Sequence, residues 1–275
     1  MERLKTALDK ARQIRATAQR SQDREVAAVM PEADTSQLPA PLVNVWQLVR
    51  EVSIDPDRLA DARIVRENDA NAFEALRSRL QGFCDQHARS RIALSAPTHG
   101  CGVTTFALNL AFSFARRTDA KVLLVDLHHE APAIAQRLGL TGTVSVARVI
   151  CEGAPLPQIL HRFGSKLIIT AGPADRRSST SVPSLTATGR FLDELQTRFR
   201  PDVMLLDLPP VLDDPQGVSL IGLSDACLLV ASARVTSAPD LDEAARLISD
   251  QTAYLGAALN QSAERTARRR RHAIA

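Results

Sequence analysis

Three segments carry residue types that could do chemistry together. The first is Pro97-Thr98-His99-Gly100-Cys101-Gly102-Val103-Thr104-Thr105, set between the apolar run Ile92–Ala96 and a helix-forming stretch that continues as Phe106-Ala107-Leu108. A strand, a glycine-rich loop and a helix in that order form a phosphate cradle. Gly100 and Gly102 let the backbone curl until successive N–H groups point inward, and the helix N-terminus adds its partial positive charge. Thr104 stands where a phosphate-loop hydroxyl ligates Mg²⁺. Two positions depart from G-x-x-x-x-G-K-[ST]: Pro97 replaces the first glycine, and Val103 replaces the lysine that reaches the β- and γ-phosphates. The other two segments are Val122-Leu-Leu-Val-Asp126 and Val203-Met-Leu-Leu-Asp207, each an apolar run ending in a carboxylate. Acids at the carboxyl ends of parallel strands stand where an open α/β sheet binds its ligand. There they hold Mg²⁺ directly or through water, or take a proton from a nucleophile.

These residues need a sheet to position them, and the sequence supplies one. From Arg91 onward short apolar runs alternate with amphipathic stretches, the pattern of a parallel sheet covered on both faces. Strands are expected at Ile92–Ala96, Val122–Asp126, Leu167–Thr170, Val203–Asp207, Ala226–Ala231 and Gly256–Asn260. Helices are expected near Thr104–Arg117, Ser184–Arg198 and Pro239–Ser249. The fold class is therefore α/β, a P-loop nucleotide-binding fold with a mainly parallel sheet and helices on both faces. Ahead of it, residues 1–20 place Leu4, Ala7, Leu8, Ala11 and Ile14 at helical spacing. Residues 21–59 read as a linker and lead-in, residues 60–262 as the domain, and residues 263–275 as a disordered basic tail. Trp46 and the helical run Asn71–Phe83 fall in the approach to the domain.

Composition narrows the function. The 275 residues are 45% hydrophobic and 24% charged, a globular balance with room for one large domain and extensions or for two small domains. A net charge of +3 does not call for a nucleic-acid partner, although Arg265 and Arg268 to Arg271 concentrate positive charge near the end of the chain. The cysteines, Cys84, Cys101, Cys151 and Cys227, show no C-x-x-C spacing and read as reduced thiols of a cytoplasmic protein. The charged start MERLKTALDKARQIR reads as no signal peptide, and the most apolar stretch, Ala107–Ala115, is too short to span a bilayer. The pair His128-His129 lacks a third ligand, and adjacent side chains point apart, so a metal site there is not expected. Cys101, between two glycines at a helix start, reads as a small residue in a tight loop rather than a reactive thiol.

Taken together, the three segments resemble the bacterial tyrosine kinases of capsule and exopolysaccharide synthesis, within the ParA/MinD group of P-loop proteins. The resemblance covers about residues 60–262. That family reads S-P-x-P-G-x-G-K-[ST] with N-L-A after it; here Ala96-Pro97-Thr98-His99-Gly100-Cys101-Gly102-Val103-Thr104 is followed by Asn109-Leu110-Ala111. Pro97 is thus ordinary for the family, whereas Val103 is not. The family's V-L-L-I-D-x-D-L-R-x-P appears as Val122 to Pro132, keeping Asp126 and Pro132 but placing His128 at the second aspartate and Glu130 at the arginine. Its D-x-P-P motif is kept in Asp207, Pro209 and Pro210. Asn260 resembles a strand-end asparagine that contacts the nucleotide base. Asn71-Ala-Phe-Glu74-Ala-Leu-Arg77 resembles the E-A-[YF]-R-x-L-R helix through which the family forms rings, with only Arg77 keeping its charge.

The resemblance implies ATP or ADP with Mg²⁺, held by Gly100, Cys101, Gly102, Val103, Thr104, Thr105 and Asn260. Thr104, Asp126 and Asp207 are implied as the metal site, the two aspartates also as what is left of the catalytic set. It further implies a membrane protein of polysaccharide export or polymerisation as partner, a homo-oligomer with a weakened ring contact, and a cytoplasmic location peripheral to the inner membrane. The tyrosine-rich tail of the family is missing, because the chain has one tyrosine, Tyr254. Val103 removes a charge from the site where charges act most strongly, at ~3–4 kcal/mol or ~100–1000-fold in rate. The expectation is a degenerate, kinase-like nucleotide-binding protein with little or no turnover. The competing expectation is a positioning ATPase of the ParA/MinD kind that uses the arginine tail on DNA or membrane. Lys121 and Lys166, the only lysines after Lys10, border strand starts and so lie at the opposite end of the sheet from the loop.

Overall fold

The computed structural model describes residues 44–64, 71–87, 90–117, 119–174 and 182–262. The helix expected over residues 1–20, the linker up to Val43 and the tail 263–275 lie outside the described residues. The strands are β1 (Arg91–Ser95), β2 (Val122–Asp126), β3 (Leu160–Phe163), β4 (Leu167–Thr170), β5 (Val203–Asp207), β6 (Ala226–Ser232) and β7 (Ala253–Asn260). They form one seven-stranded sheet in the order β3-β4-β2-β5-β1-β6-β7, parallel throughout except for β3, which runs antiparallel to β4 at the edge.

Alternation along the strands explains why both faces are covered. Ile92, Leu94, Val122 and Leu124 point to one face, where they meet Leu108, Leu110 and Phe114 of helix α3 (Val103–Arg117) and Leu80 of α2 (Asn71–His87). Ala93, Leu123, Val125 and Met204 point to the other, against Phe191, Leu192 and Leu195 of α6 (Leu185–Phe199) and Ile248 of α8 (Ala238–Ser249). The long helices carry legible starts. Ser184 caps α6, and Ser237 with Asp240 forms a capping box on α8.

The remaining elements are short: α1 (Pro56–Asp61), α4 (Ile134–Leu138), α5 (Val146–Glu152) and α7 (Pro215–Ile221). Five to seven residues give too few turns for a hydrophobic period, which is why the sequence reading passed over them. The edge strand β3, Leu-His-Arg-Phe, was also missed, since two of its four residues are polar. The compact unit begins at Asn44, so the lead-in contributes to the core. Trp46 is fully buried there, its ring edge-on to Phe199 and its indole N–H donating to the Phe199 carbonyl at 2.8 Å. Among the described residues no helix is long and apolar enough to cross a membrane.

Candidate nucleotide site

The loop between β1 and α3 is shaped by its glycines and held from both sides. Gly100 and Gly102 have φ of +84° and +82°, a region other residues adopt only under strain. A Cβ on Gly102 would stand 2.8 Å from the Asn260 side-chain nitrogen. That nitrogen donates to the Cys101 carbonyl at 2.8 Å, and the next residue, Gln261, donates through Nε2 to the Gly100 carbonyl at 3.1 Å. Gln261 is steadied in turn by the Ser232 hydroxyl, 2.8 Å from its Oε1. Across the loop the His99 N–H donates to the Asp213 carboxylate at 2.7 Å. Two carbonyls of the loop are thereby engaged by the end of β7. Cys101 is buried, with its sulfur 3.4 Å from the Thr236 hydroxyl. Val103 opens α3 and packs on the apolar cluster beneath it.

The two aspartates are brought together by strand register. β2 and β5 are neighbours, and Asp126 and Asp207 are direct register partners at their carboxyl ends. Both side chains are buried, each 1% exposed. Asp126 Oδ1 accepts from the His128 N–H at 3.2 Å, whereas its Oδ2 and both oxygens of Asp207 have no hydrogen bond. Burial, then the neighbouring Asp207 charge, raises the Asp126 pKa well above the usual carboxylate range. Burial lifts Asp207 to about 7, opposed by the nearby Thr104 hydroxyl and the Arg137 charge. Three unsatisfied, buried carboxylate oxygens beside a threonine hydroxyl match an oxygen-preferring cation such as Mg²⁺. When bound, Mg²⁺ would neutralise the pair and offset phosphate charge.

In front of this pair lies an open cleft of about 830 Å³. It is lined by the whole run Gly100–Thr105 and by Asn260, so the cradle residues expected from the sequence converge on one space. Asp126 and Asp207 are buried and not among its lining residues, whereas Thr104, His128 and Leu208 are. His128 stacks on His99 with ring centroids 6.2 Å apart, and burial, then the His99 charge, lowers its pKa. Burial pushes His129 down to about 4, and its Nε2 has no hydrogen-bond partner. Among the described residues no three His, Cys, Asp or Glu side chains gather as a metal site. Lys121 lies over the Trp46 ring and Lys166 pairs with Asp119, both at the amino ends of their strands and away from the loop. The sequence reading missed Arg63 and Arg137, which also line the cleft. Neither belongs to a motif, and only the packing of α1 and α4 brings them there.

No family model and no curated protein matches the chain. Solved structures do. The VpsO kinase domain is 26% identical, with a TM-score of 0.58 over 75% of this chain and 96% of that one. The kinase domain of the Escherichia coli tyrosine kinase Etk is 17% identical, with a TM-score of 0.62 over 78% of this chain and 85% of that one. The septum site-determining protein MinD from Pyrococcus horikoshii, complexed with Mg-ADP, is 20% identical, with a TM-score of 0.55 over 64% of this chain and 71% of that one. The chain therefore has the α/β fold shared by bacterial tyrosine-kinase domains and MinD-type P-loop ATPases.

Proposed function

We propose that this chain is a tyrosine-kinase-like nucleotide-binding protein of exopolysaccharide or capsule synthesis that holds Mg·ATP or Mg·ADP weakly and turns it over negligibly. The observation that carries this reading is a formed phosphate loop whose lysine position is Val103. The backbone of Gly100–Thr105 binds the phosphates, Thr104 with Asp126 and Asp207 holds the metal, and Asn260 borders the nucleotide. Without the lysine, charge developing on a transferred phosphoryl group goes unmatched, so binding outlasts catalysis. Of the two lines of likeness, the kinase one is favoured, because the VpsO domain aligns over 96% of its length. Tyr254 sits near the start of β7, at the opposite end of the sheet from the loop, which supports a role other than autophosphorylation.

A protein of this kind acts through what it contacts. The contact is a membrane protein of polysaccharide export or polymerisation, reached from the cytoplasm, and residues 1–20, whose apolar positions keep helical spacing, are the segment that docks on it. The nucleotide sets the state of the domain rather than driving a cycle. The test is titration of the full chain with ATP and ADP, with and without Mg²⁺, alongside phosphate release. Saturable, Mg²⁺-dependent binding with negligible release supports the proposal; sustained release at the rate of an active kinase domain refutes it.

A further inference from the structure

The cleft lacks a lysine on the loop side but has arginines on the other. Arg137 projects from α4 and Arg63 follows α1, two helices that pack together, and both exposed side chains line the cleft that Gly100–Thr105 line. Neither guanidinium has an ion pair or hydrogen bond of its own among the described residues. The Arg137 charge also acts on Asp207, which places it within electrostatic reach of the buried pair.

Arg63 shows a second sign of function, written in its backbone. It occupies the left-handed position that ends α1, with φ of 56°. There its N–H donates to the Ala60 carbonyl at 2.9 Å, while that of Ile64 donates to Leu59 at 2.8 Å. This double closure favours glycine, and any other residue is strained in it. The Asn109 amide, on the helix that follows the phosphate loop, then fixes the Arg63 carbonyl at 3.1 Å and the Thr105 carbonyl at 2.8 Å. An arginine held where glycine is favoured, tied to the loop helix and lining the cleft, is placed to bind as well as to end α1.

We infer that Arg137, assisted by Arg63, is the phosphate clamp of this site and supplies in cis the binding charge that Val103 removed, without restoring the charge that a loop lysine gives to a transferring phosphoryl group. The ligand class is the β- and γ-phosphates of a nucleoside di- or triphosphate, which a guanidinium fork grips with two parallel hydrogen bonds. The inference rests on the nucleotide-binding reading above. Asp61 also lines the cleft.

The test is calorimetric titration of the full chain with Mg·ATP and Mg·ADP, in wild type, Arg137→Ala, Arg137→Lys and Arg63→Gly, with a melting curve for each. Arg137→Ala should weaken both ligands about tenfold or more without lowering the melting temperature, because the side chain is exposed. Arg137→Lys should recover part of the loss. Arg63→Gly should move the two readouts in opposite directions, weaker binding with an equal or higher melting temperature. Unchanged affinity in both Arg137→Ala and Arg63→Gly overturns the clamp and leaves the nucleotide-binding reading intact. A wild-type protein that binds neither ligand overturns both.

Discussion

Replacing Asp207 by asparagine should stabilise the protein and at the same time remove its response to magnesium. Asp207 is 1% exposed, neither of its oxygens is hydrogen-bonded, and its register partner is the equally buried Asp126. Its pKa rises from 3.8 to about 7, chiefly through burial. The folded state therefore holds the proton more tightly than the unfolded state, and stability falls as pH rises from about 4 to 7. A rise from 3.8 to about 7 corresponds to ~4 kcal/mol at ~1.4 kcal/mol per pH unit. About two of those units open between pH 5 and pH 7, or ~3 kcal/mol. Asparagine keeps the shape, carries no charge and relieves Asp126 as well. Urea unfolding of wild type and Asp207→Asn, at pH 5 and pH 8 without metal, measures this directly. The variant should be the more stable at pH 8 by ~2–4 kcal/mol, with the gap shrinking at pH 5. Added Mg²⁺ should raise the melting temperature of wild type at pH 8 and leave the variant unmoved. A variant less stable than wild type at pH 8, or a gap that ignores pH, would refute the argument.

Other outcomes follow from single contacts. Gly102→Ala must place a Cβ 2.8 Å from the Asn260 side-chain nitrogen at φ +82°, so it should break the Asn260–Cys101 bond. The expected cost is ~1–2 kcal/mol in denaturant unfolding, with nucleotide affinity lost in titration. Trp46→Ala removes a fully buried ring and its bond to Phe199, and should cost ~3–5 kcal/mol by the same unfolding measurement; a loss below 1 kcal/mol would detach residues before 56 from the core. Light scattering should report a monomer or dimer, since Glu74 is exposed where the ring-forming motif has an arginine; a stable ring without nucleotide would contradict this.

The parts of the fold that were legible are those whose physics is local. The strands Val122–Asp126 and Val203–Asp207 are unbroken apolar runs because both faces are buried, and each ends at the residue read from the sequence. The glycine loop was legible for the same reason, as positive φ at Gly100 and Gly102 demands that residue type. What stayed hidden depends on distant partners. The Asn260 and Gln261 hold on the loop joins residues about 160 apart in sequence, so the asparagine read as a base contact also serves as a strut. The wall bearing Arg63 and Arg137 is built from helices of six and five residues, too short to announce themselves. Glycine at position 63 would have marked the end of α1; arginine there concealed it.

The cradle is formed by the Gly100–Thr105 loop, and we propose that Val103 and His128 disarm its chemistry. Phosphate release from Mg·ATP by wild type and by the double variant Val103→Lys/His128→Asp tests this most directly. Wild type should release negligible phosphate and the double variant at least ~100-fold more, since a charge and a carboxylate return to a preformed site. Wild-type release equal to or above that of the double variant would contradict it.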